Sequence, residues 1–385
     1  MVPVRGNRIA LLKGGDEFFA AIEEAIEDAR IEVRLETYIY VADAAGQRIA
    51  AALARAASRG VRVRVMLDAF GARALDRAFL AELREAGVAV QLFRPPRSSF
   101  SLSRSRLRRL HRKIVLVDGR VGFVGGLNII DDATENPTGG VRLDYAVRVE
   151  GPLVARIYPV VHRLWWLVAT LASGRRQPGF RTPRFAAAPA GESVAAFVHR
   201  DNLGHRHDIE AMYLRGIRGA RREIVIACAY FMPGWRVRRS LMAAADRGVR
   251  VVLLLQGWTD HAIFQQASRV LYEALLEHGI EIFEYVGGEL HAKVGVVDER
   301  WATVGSSNLD PFSLVLAREA NVVVFDEVVA RALRQSLEEE IRTRSTAIRR
   351  MLWRRRRWPA RLVGWLSYGY ARLALGLAGI TGRWL

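Results

Sequence analysis

The sequence predicts an α/β protein that is built from two similar halves. Short β-branched runs alternate with helical patterns along the 385 residues, which is typical of sheets covered by helices on both faces. The same order of runs also occurs twice, as expected of an internal duplication. We therefore expect two pseudo-symmetric α/β/α lobes with mixed, mostly parallel sheets.

The duplication is visible in segments that match between the halves. The matching pairs are AIEDARIEVRLETYIY (25–40) with IRGARREIVIACAYF (217–231), VRVRVMLD (61–68) with VRVVLLLQ (249–256), and ELREAGVAVQLF (82–93) with LLEHGIEIFEY (275–285). Gly60 and Gly248 precede the second pair, where glycine typically ends a helix in the left-handed conformation. The halves therefore supply helices and strands in the same order.

These repeats divide the chain into four parts. We expect a first lobe over residues 1–175, a linker over 176–192, a second lobe over 193–347 and a basic, Trp-rich tail over 348–385. The single cysteine, Cys228, excludes an internal disulfide, which fits a reducing compartment.

Each half contains one copy of a polar motif, H-x-K-x4-D-x6-G-x2-N. The copies are HRKIVLVDGRVGFVGGLN (111–128) and HAKVGVVDERWATVGSSN (291–308). Because residues i and i+2 of a strand share a face, His111 projects with Lys113, and His291 projects with Lys293. A lone histidine in a strand is usually structural, but two complete copies in a repeated framework favour a functional site.

The scarcity of lysine supports this interpretation. Of the 58 lysines and arginines, only three are lysines, Lys13, Lys113 and Lys293, and the other 55 are arginines. Two of the three lysines occupy the same position of the two motifs. A lysine offers a compact point charge, whereas arginine presents a planar fork, so the positions are not equivalent to the arginine-rich surface.

Together, the two motifs provide the side chains for binding one tetrahedral anion. Lys113, Lys293, Asn128 and Asn308 would hold the non-bridging phosphate oxygens and stabilise the transition state. One neutral histidine can attack phosphorus, while the other donates a proton to the leaving oxygen and then acts as a base. This two-step displacement needs no metal, so we expect no metal and no other cofactor.

Four acidic residues accompany the histidines. Asp144 and Glu319 lie at similar distances downstream and could each hold the second nitrogen of a histidine. Asp118 and Asp298 belong to the motifs and are candidate catalytic residues. Their phase along the strand differs from that of the histidines, which favours a structural role in the following turn over direct catalysis.

The paired HxKxxxxD motifs with GGxN and GSxN resemble the phospholipase D superfamily. Several segments are similar to bacterial cardiolipin synthases of the shorter type, which lack N-terminal membrane helices. They are LETYIYVAD (35–43), AYFMPGWRVRRSL (229–241), LHAKVGVVDERWATVGSSNLDPFSL (290–314) and EANVVVFD (319–326). The resemblance implies two phospholipase D-like lobes whose motifs meet in one site, with His111 as the nucleophile and His291 as the acid and base. The residues alone do not distinguish the two histidines.

The two motifs differ at one position near the phosphate. Ser306 stands in the second motif where the first has Gly126. Its hydroxyl could donate to the phosphate, and we include it among the candidate phosphate-binding residues.

The formal net charge of +18 suits a polyanion, either nucleic acid or the anionic face of a membrane. Three features favour a lipid substrate. An insertion before His111 carries five arginines, and the segment 152–176 and the tail combine arginines with aromatic residues, as at membrane interfaces. The arginines of the insertion are Arg97, Arg104, Arg106, Arg108 and Arg109.

The resemblance and the charge together predict a cardiolipin synthase. It would transfer a phosphatidyl group between two phosphatidylglycerol molecules, release glycerol and form a phosphatidyl-histidine intermediate. The partner would be an anionic membrane, with the protein peripheral on the cytoplasmic side of the inner membrane.

Other functions use the same residues. A phospholipase D would transfer the group to water, and a metal-independent phosphodiesterase or nuclease would act on nucleic acid. The Trp-rich tail favours a membrane, so we expect no nucleic acid partner, and the complete motifs disfavour a non-enzymatic membrane scaffold. The acceptor alcohol and the oligomeric state stay open.

Overall fold

The computed structural model describes residues 1–95, 108–132, 140, 142–174, 187–258, 262–354 and 358–377. The strands are Val4–Lys13 (β1), Glu32–Thr37 (β2), Arg62–Asp68 (β3), Ala89–Phe93 (β4), Lys113–Val117 (β5), Val121–Gly125 (β6), Tyr145–Glu150 (β7), Ser193–Arg200 (β8), Glu223–Cys228 (β9), Arg250–Gln256 (β10), Glu281–Tyr285 (β11), Lys293–Val297 (β12), Trp301–Gly305 (β13), Glu319–Phe325 (β14) and Ser345–Ala347 (β15). The α-helices are Gly14–Glu27 (α1), Ala44–Ser58 (α2), Arg77–Glu85 (α3), Val154–Ser173 (α4), Asp208–Gly219 (α5), Trp235–Asp246 (α6), Ala262–Val270 (α7), Tyr272–Glu277 (α8), Glu327–Arg344 (α9), Arg350–Arg354 (α10) and Trp358–Leu377 (α11). A π-helical turn covers Phe312–Leu316.

The described strands form one sheet in the order β15-β11-β10-β9-β12-β13-β14-β8-β1-β7-β6-β5-β2-β3-β4. β1 and β8 pair at its centre in antiparallel orientation. Outward from this pair, β7-β6-β5-β2-β3-β4 on one side matches β14-β13-β12-β9-β10-β11 on the other. The α/β class and the two repeated halves predicted from the sequence are therefore confirmed.

The expected mixture of strand directions is correct, but the parallel share is smaller than the sequence suggested. Among the strand pairs of the described residues, four are parallel, within β2–β3–β4 and β9–β10–β11, and ten are antiparallel. The reason is the length of the connections. The turns 118–120 and 298–300 are too short for a crossover, so β5–β6 and β12–β13 are hairpins.

The two lobes share a hydrophobic core. Ile157 and Val161 of α4 belong to the same buried cluster as Leu333 and Leu337 of α9, together with strands of both halves. Each such side chain contributes about 1.5–3 kcal/mol by burial. This shared core fixes the lobes against each other and therefore fixes the motifs that lie between them.

Several local expectations can be compared with the structure. Gly60 and Gly248 have φ angles of 86° and 85°, as expected of left-handed helix ends. In α4, Trp165 is buried and lies beside Arg64, at 5.9 Å from ring centroid to guanidinium carbon, so this tryptophan belongs to the protein interior. Most of the expected linker 176–192 lies outside the described residues. Within the part of the chain that is described, no helix has the length and apolar character needed to cross a bilayer.

Candidate active site

Both motif histidines lie immediately before a fully buried strand. β5 begins at Lys113 and β12 at Lys293, and every residue of the two strands is buried. The side chains of His111 and His291 keep 17% and 15% of their surface exposed. Each histidine therefore lies, partly exposed, just before the amino-terminal end of a buried strand.

The residue before each histidine is held by a polar side chain from the strand that lies two positions away in the sheet, β3 for Leu110 and β10 for Leu290. The Leu110 N–H donates to Asp68 Oδ2 at 2.8 Å, and the Leu290 N–H donates to Gln256 Oε1 at 2.6 Å. Sequence reasoning missed Asp68 and Gln256. The available signal was that VRVRVMLD and VRVVLLLQ are apolar strands that each end in a polar residue.

The backbone of each histidine is bound by the other half of the chain. The His111 N–H donates to Arg318 O at 3.0 Å, and the His291 N–H donates to Leu143 O at 2.9 Å. Each half therefore binds the histidine backbone of the other half. Arg318 and Leu143 directly precede Glu319 and Asp144 in the chain.

The side-chain partners of the histidines are exchanged in the same way. Glu319 Oε1 and Oε2 lie 2.9 and 3.1 Å from His111 Nδ1. Asp144 Oδ2 lies 2.6 Å from His291 Nδ1. Each carboxylate therefore accepts from Nδ1–H and leaves the Nε2 lone pair for chemistry.

Gly126 and Ser306 fit the different carboxylates beside them. A Cβ at Gly126 would lie 2.2 Å from Asp144 Oδ1, so a side chain there would displace the Asp144 carboxylate. The Ser306 hydroxyl donates to Glu319 Oε2 at 2.5 Å and accepts from the Ala320 N–H at 3.0 Å. The hydroxyl expected to bind phosphate instead positions the carboxylate that contacts His111.

The two lysines place positive charge beside the histidines. Lys113 Nζ donates to His111 O at 2.7 Å, and Lys293 Nζ donates to His291 O. Burial lowers the pKa of Lys113 to about 7, with Lys293 adding to the shift and Glu319 opposing it. Burial also lowers the pKa of Lys293. Since the two ammonium groups repel one another, an anion between them would be favoured.

The motif asparagines are buried near the same strand ends. Asn128 Oδ1 accepts from the Ile39 N–H at 3.1 Å, and Asn308 Oδ1 accepts from the Tyr230 N–H at 3.4 Å. With their oxygens occupied in this way, the amide NH₂ groups are the donors that a ligand could use.

Asp118 and Asp298 follow the carboxyl-terminal ends of β5 and β12, whereas the histidines precede the amino-terminal ends. A five-residue strand is about 17 Å long, so the two carboxylates lie far from the histidines. Each accepts from three successive backbone N–H groups, of residues 30–32 for Asp118 and 221–223 for Asp298, at 2.8–2.9 Å. Burial would raise the pKa of Asp298, but the three N–H groups outweigh this effect and lower the pKa. Each carboxylate therefore fastens the hairpin turn in which it lies to the backbone at the start of another strand, β2 for Asp118 and β9 for Asp298.

The histidines are neutral in the free site near neutral pH. Burial lowers the pKa of His111 despite Glu319, and it lowers the pKa of His291 well below its usual value, with Lys293 adding to the shift. Burial also raises the pKa of Asp144 to about 6. The site therefore offers two neutral imidazoles, either of which can attack an electrophile or accept a proton.

Two described arginines, Arg109 and Arg318, lie close to this site. Arg109 lies 3.8 Å from Asp68 and 4.7 Å from the Phe70 ring centroid. Burial lowers the pKa of Arg318 to about 10, and neighbouring guanidinium groups contribute. Arg108 is also described, whereas the other arginines of the insertion, Arg97, Arg104 and Arg106, lie outside the described residues. The positive charge of Arg109 and Arg318 favours an anionic substrate.

Comparison with known proteins gives consistent matches to one group. A family model described as "Cardiolipin synthase, PLD-like domain" matches residues 22–157 and 213–341. Cardiolipin synthase B of Salmonella typhi is 42% identical over 86% of this chain and 80% of its own length. Cardiolipin synthase B of Escherichia coli K12 is 39% identical over 96% of this chain and 92% of its own length.

A solved structure supports the fold independently of close sequence similarity. Phosphatidylserine synthase of Haemophilus influenzae superposes with a TM-score of 0.70 and 14% identity, over 97% of this chain and 95% of that chain. At this level of identity, the match concerns the fold alone.

Proposed function

The chain belongs to the phospholipase D-like cardiolipin synthase family and is a phosphatidyltransferase, and we propose that it joins two phosphatidylglycerol molecules into cardiolipin and releases glycerol. The observation that carries this proposal is the exchanged His–carboxylate pairing, which supports a single anion site formed by two histidines and two lysines. Such a site suits a displacement at phosphorus in two steps.

In the first step, His111 Nε2 attacks the phosphorus of one phosphatidylglycerol. The bond from phosphorus to the glycerol oxygen breaks. His291, which is neutral in the free site, takes up a proton when the anionic phosphate binds beside it, and it donates this Nε2 proton to the glycerol oxygen. This gives phosphatidyl-His111 and free glycerol. Lys113 and Lys293 would neutralise the charge on the non-bridging oxygens, where buried donors are most effective.

In the second step, a headgroup hydroxyl of the second phosphatidylglycerol attacks the same phosphorus. His291 Nε2 accepts the hydroxyl proton, the bond from phosphorus to His111 breaks, and cardiolipin forms. Glu319 stabilises the positive charge that develops on the His111 ring during the first step. The low pKa of His291 makes its protonated form a strong acid for the leaving glycerol.

We assign the remaining motif residues to support of this chemistry. Asn128 and Asn308 are proposed phosphate donors, Asp144 and Glu319 orient the histidines, and Ser306 positions Glu319. Water in place of the lipid hydroxyl would give phospholipase D activity, which makes hydrolysis the nearest competing reaction.

A membrane-facing surface accompanies the site. The helix α11, in the proposed tail 348–385, packs on α7 through Gly364, next to Val270 and Gln266. Its other faces expose six large apolar side chains, at 49–64% exposure: Leu362, Val363, Trp365, Leu366, Tyr370 and Leu373. Contiguous apolar exposure of this kind is typical of an interaction surface.

This surface is connected to the strand that supports His291. α7 follows β10, and Gln256 at the end of β10 holds the residue before His291. We propose that α11 lies on the anionic cytoplasmic face of the inner membrane as a peripheral contact. The site would then open close to its lipid substrates.

The function is tested with purified full-length protein, phosphatidylglycerol vesicles and a chelator, with products identified by lipid analysis. We expect cardiolipin and an equal amount of glycerol. Cleavage of single- or double-stranded DNA without any cardiolipin or phosphatidic acid would contradict the lipid substrate, and phosphatidic acid alone would contradict the transfer reaction.

The membrane contact is tested by co-sedimentation with the same vesicles. We expect the double variant Trp365→Glu/Leu366→Glu to bind at least about tenfold more weakly, because two exposed apolar groups are lost. Val328→Glu is the matched control, since Val328 is 77% exposed on a different helix, α9. Equal binding by both variants would contradict the role of α11.

A further inference from the structure

Three potential metal ligands gather at the end of β8, outside the catalytic motifs. They are His199 in β8 and Asp201 and His205 in the loop that leads to α5. One ligand atom from each side chain lies within 4.8 Å of the other two, and all three residues are partly exposed. The ring centroids of the two histidines are 4.1 Å apart.

The loop already holds the carboxylate of Asp201 in place. Asp201 Oδ1 accepts from the N–H groups of Leu203 and His205, at 2.8 and 3.0 Å. These bonds occupy one carboxylate oxygen with the backbone. Oδ2 is therefore the oxygen available to a metal.

A metal-bound histidine typically donates its second ring N–H to a carboxylate or a carbonyl, and His205 has such a partner. Its Nδ1 lies 2.8 Å from Asp208 Oδ2, so Nδ1 carries the proton and Nε2 has the free lone pair. A carboxylate behind a histidine fixes the tautomer and the ring orientation and makes the ligand nitrogen more basic. This contact is the second observation, beside the cluster itself, that indicates a ligand.

We propose that His199, Asp201 and His205 bind a divalent transition metal of the zinc type, with water at the fourth position. Two imidazoles and one carboxylate suit zinc and related ions better than calcium or magnesium. Tetrahedral ligands at about 2.1 Å from zinc stand about 3.4 Å apart. The ligand atoms, which lie within 4.8 Å of one another, must therefore approach by up to about 1.4 Å, which a partly exposed loop permits.

The position of the cluster indicates a structural role. β8 pairs with β14, and His199 and Arg200 stand opposite Ala320 and Glu319. Arg200 also donates to carbonyl groups of the π-helical turn, including Leu314 O at 3.2 Å. A metal at the end of β8 would fix the strand that holds Glu319, the partner of His111.

The local charge permits a cation. The positive field of Arg112 and Arg318 reaches His199 and Asp201. The carboxylates of Asp201 and Asp208 oppose it. The ion would take no part in the displacement at phosphorus.

The proposal is tested by zinc titration of the chelator-treated full-length protein, followed by calorimetry. The variant His111→Gln/His291→Gln serves as the parent, because it removes the catalytic histidines as competing ligands.

We expect one zinc ion per chain. Adding His205→Ala should weaken binding at least about 100-fold, and adding Asp208→Asn should weaken it about 10–100-fold. His207→Ala is the control in the same loop and should bind like the parent.

A second readout separates ligand loss from misfolding. Zinc should raise the melting temperature of the parent and of the His207→Ala variant, but not that of a folded His205→Ala variant. Co²⁺ should give the visible absorption of a four-coordinate site only where zinc binds. Absence of zinc binding by the parent, or unchanged affinity after both His199→Ala and His205→Ala, would overturn the proposal.

Discussion

Glu319 lies 2.9 Å from Nδ1 of His111, although 208 residues separate the two in the chain. The pair joins the second half of the molecule to the first. With the reciprocal contact of Asp144 and His291, it means that neither half contains a histidine together with its own carboxylate. The duplicated halves are therefore equivalent in fold but depend on one another for the site.

The exchanged pairing predicts the effect of neutralising each carboxylate. Glu319→Gln and Asp144→Asn should each lower kcat by about 10²–10⁴-fold, because the histidine loses its orientation and charge stabilisation. Glu319→Gln should shift the Nδ1–H proton signal of His111 in NMR spectra of histidine-labelled protein. Asp144→Asn should shift the signal of His291.

The controls for this prediction are the opposite combinations. Asp144→Asn should leave the His111 signal in place, and Glu319→Gln should leave the His291 signal in place. The reverse pattern would mean that each histidine is paired within its own half.

Exchange of Gly126 and Ser306 between the motifs should have unequal effects. Ser306→Gly removes one donor to Glu319 and should lower kcat about 10–150-fold, since a hydrogen bond to a charged group contributes about 1.5–3 kcal/mol and each 1.36 kcal/mol is a factor of ten. Gly126→Ser places a side chain against Asp144, 2.2 Å from the new Cβ, and should reduce activity far more. Kinetics of the two variants, with circular dichroism to confirm folding, provide the measurement; equal losses would argue against the fit of glycine to aspartate.

Asp118 and Asp298 should affect stability more than chemistry. Each carboxylate holds three backbone N–H groups far from the histidines, so Asp118→Ala or Asp298→Ala should lower the free energy of unfolding by about 1–3 kcal/mol. In the folded fraction at low temperature, kcat should change less than about threefold. A large loss of kcat in a variant with unchanged melting temperature would restore the alternative of direct catalysis.

The buried charges predict a narrow pH optimum for kcat/KM, which reports the free enzyme. Lys113 must be protonated to bind the anion, and its pKa is about 7, so kcat/KM should fall as the pH rises through this value. Asp144 must be ionised to hold His291, and its pKa is about 6, so kcat/KM should also fall as the pH decreases through this value. Initial rates across the pH range give the profile.

A variant distinguishes the basic limb. Lys113→Arg keeps its positive charge at high pH, so its activity should be lower at the optimum while the basic limb moves to higher pH. A basic limb that stays in place in this variant would assign it to another group.

The sequence predicts a candidate site through local spacing. The HxK spacing sets the side-chain face, and its repetition singles out His111, Lys113, His291 and Lys293 as candidates. The family matches confirm the resemblance that these motifs suggested.

The sequence could not predict how the halves exchange partners. Asp144 and Glu319 were identified as candidates, but which histidine each contacts depends on how the lobes dock. Asp68 and Gln256 were missed for the same reason, since their hydrogen bonds are tertiary. The share of parallel strands was overestimated because the helix-to-strand alternation dominates the pattern, whereas short turns determine the direction of β5, β6, β12 and β13.

We propose that His111, supported across the halves by Glu319, forms a covalent phosphatidyl intermediate. It is tested by rapid denaturation of the enzyme in detergent at mildly alkaline pH, where the bond from phosphorus to nitrogen survives, during turnover of acyl-labelled phosphatidylglycerol, followed by peptide mapping at the same pH, with His111→Ala as the control. We predict label on the peptide that contains His111, and no label and no cardiolipin with the control. Label on the His291 peptide, or cardiolipin formed at full rate by the His111→Ala variant, would contradict the account.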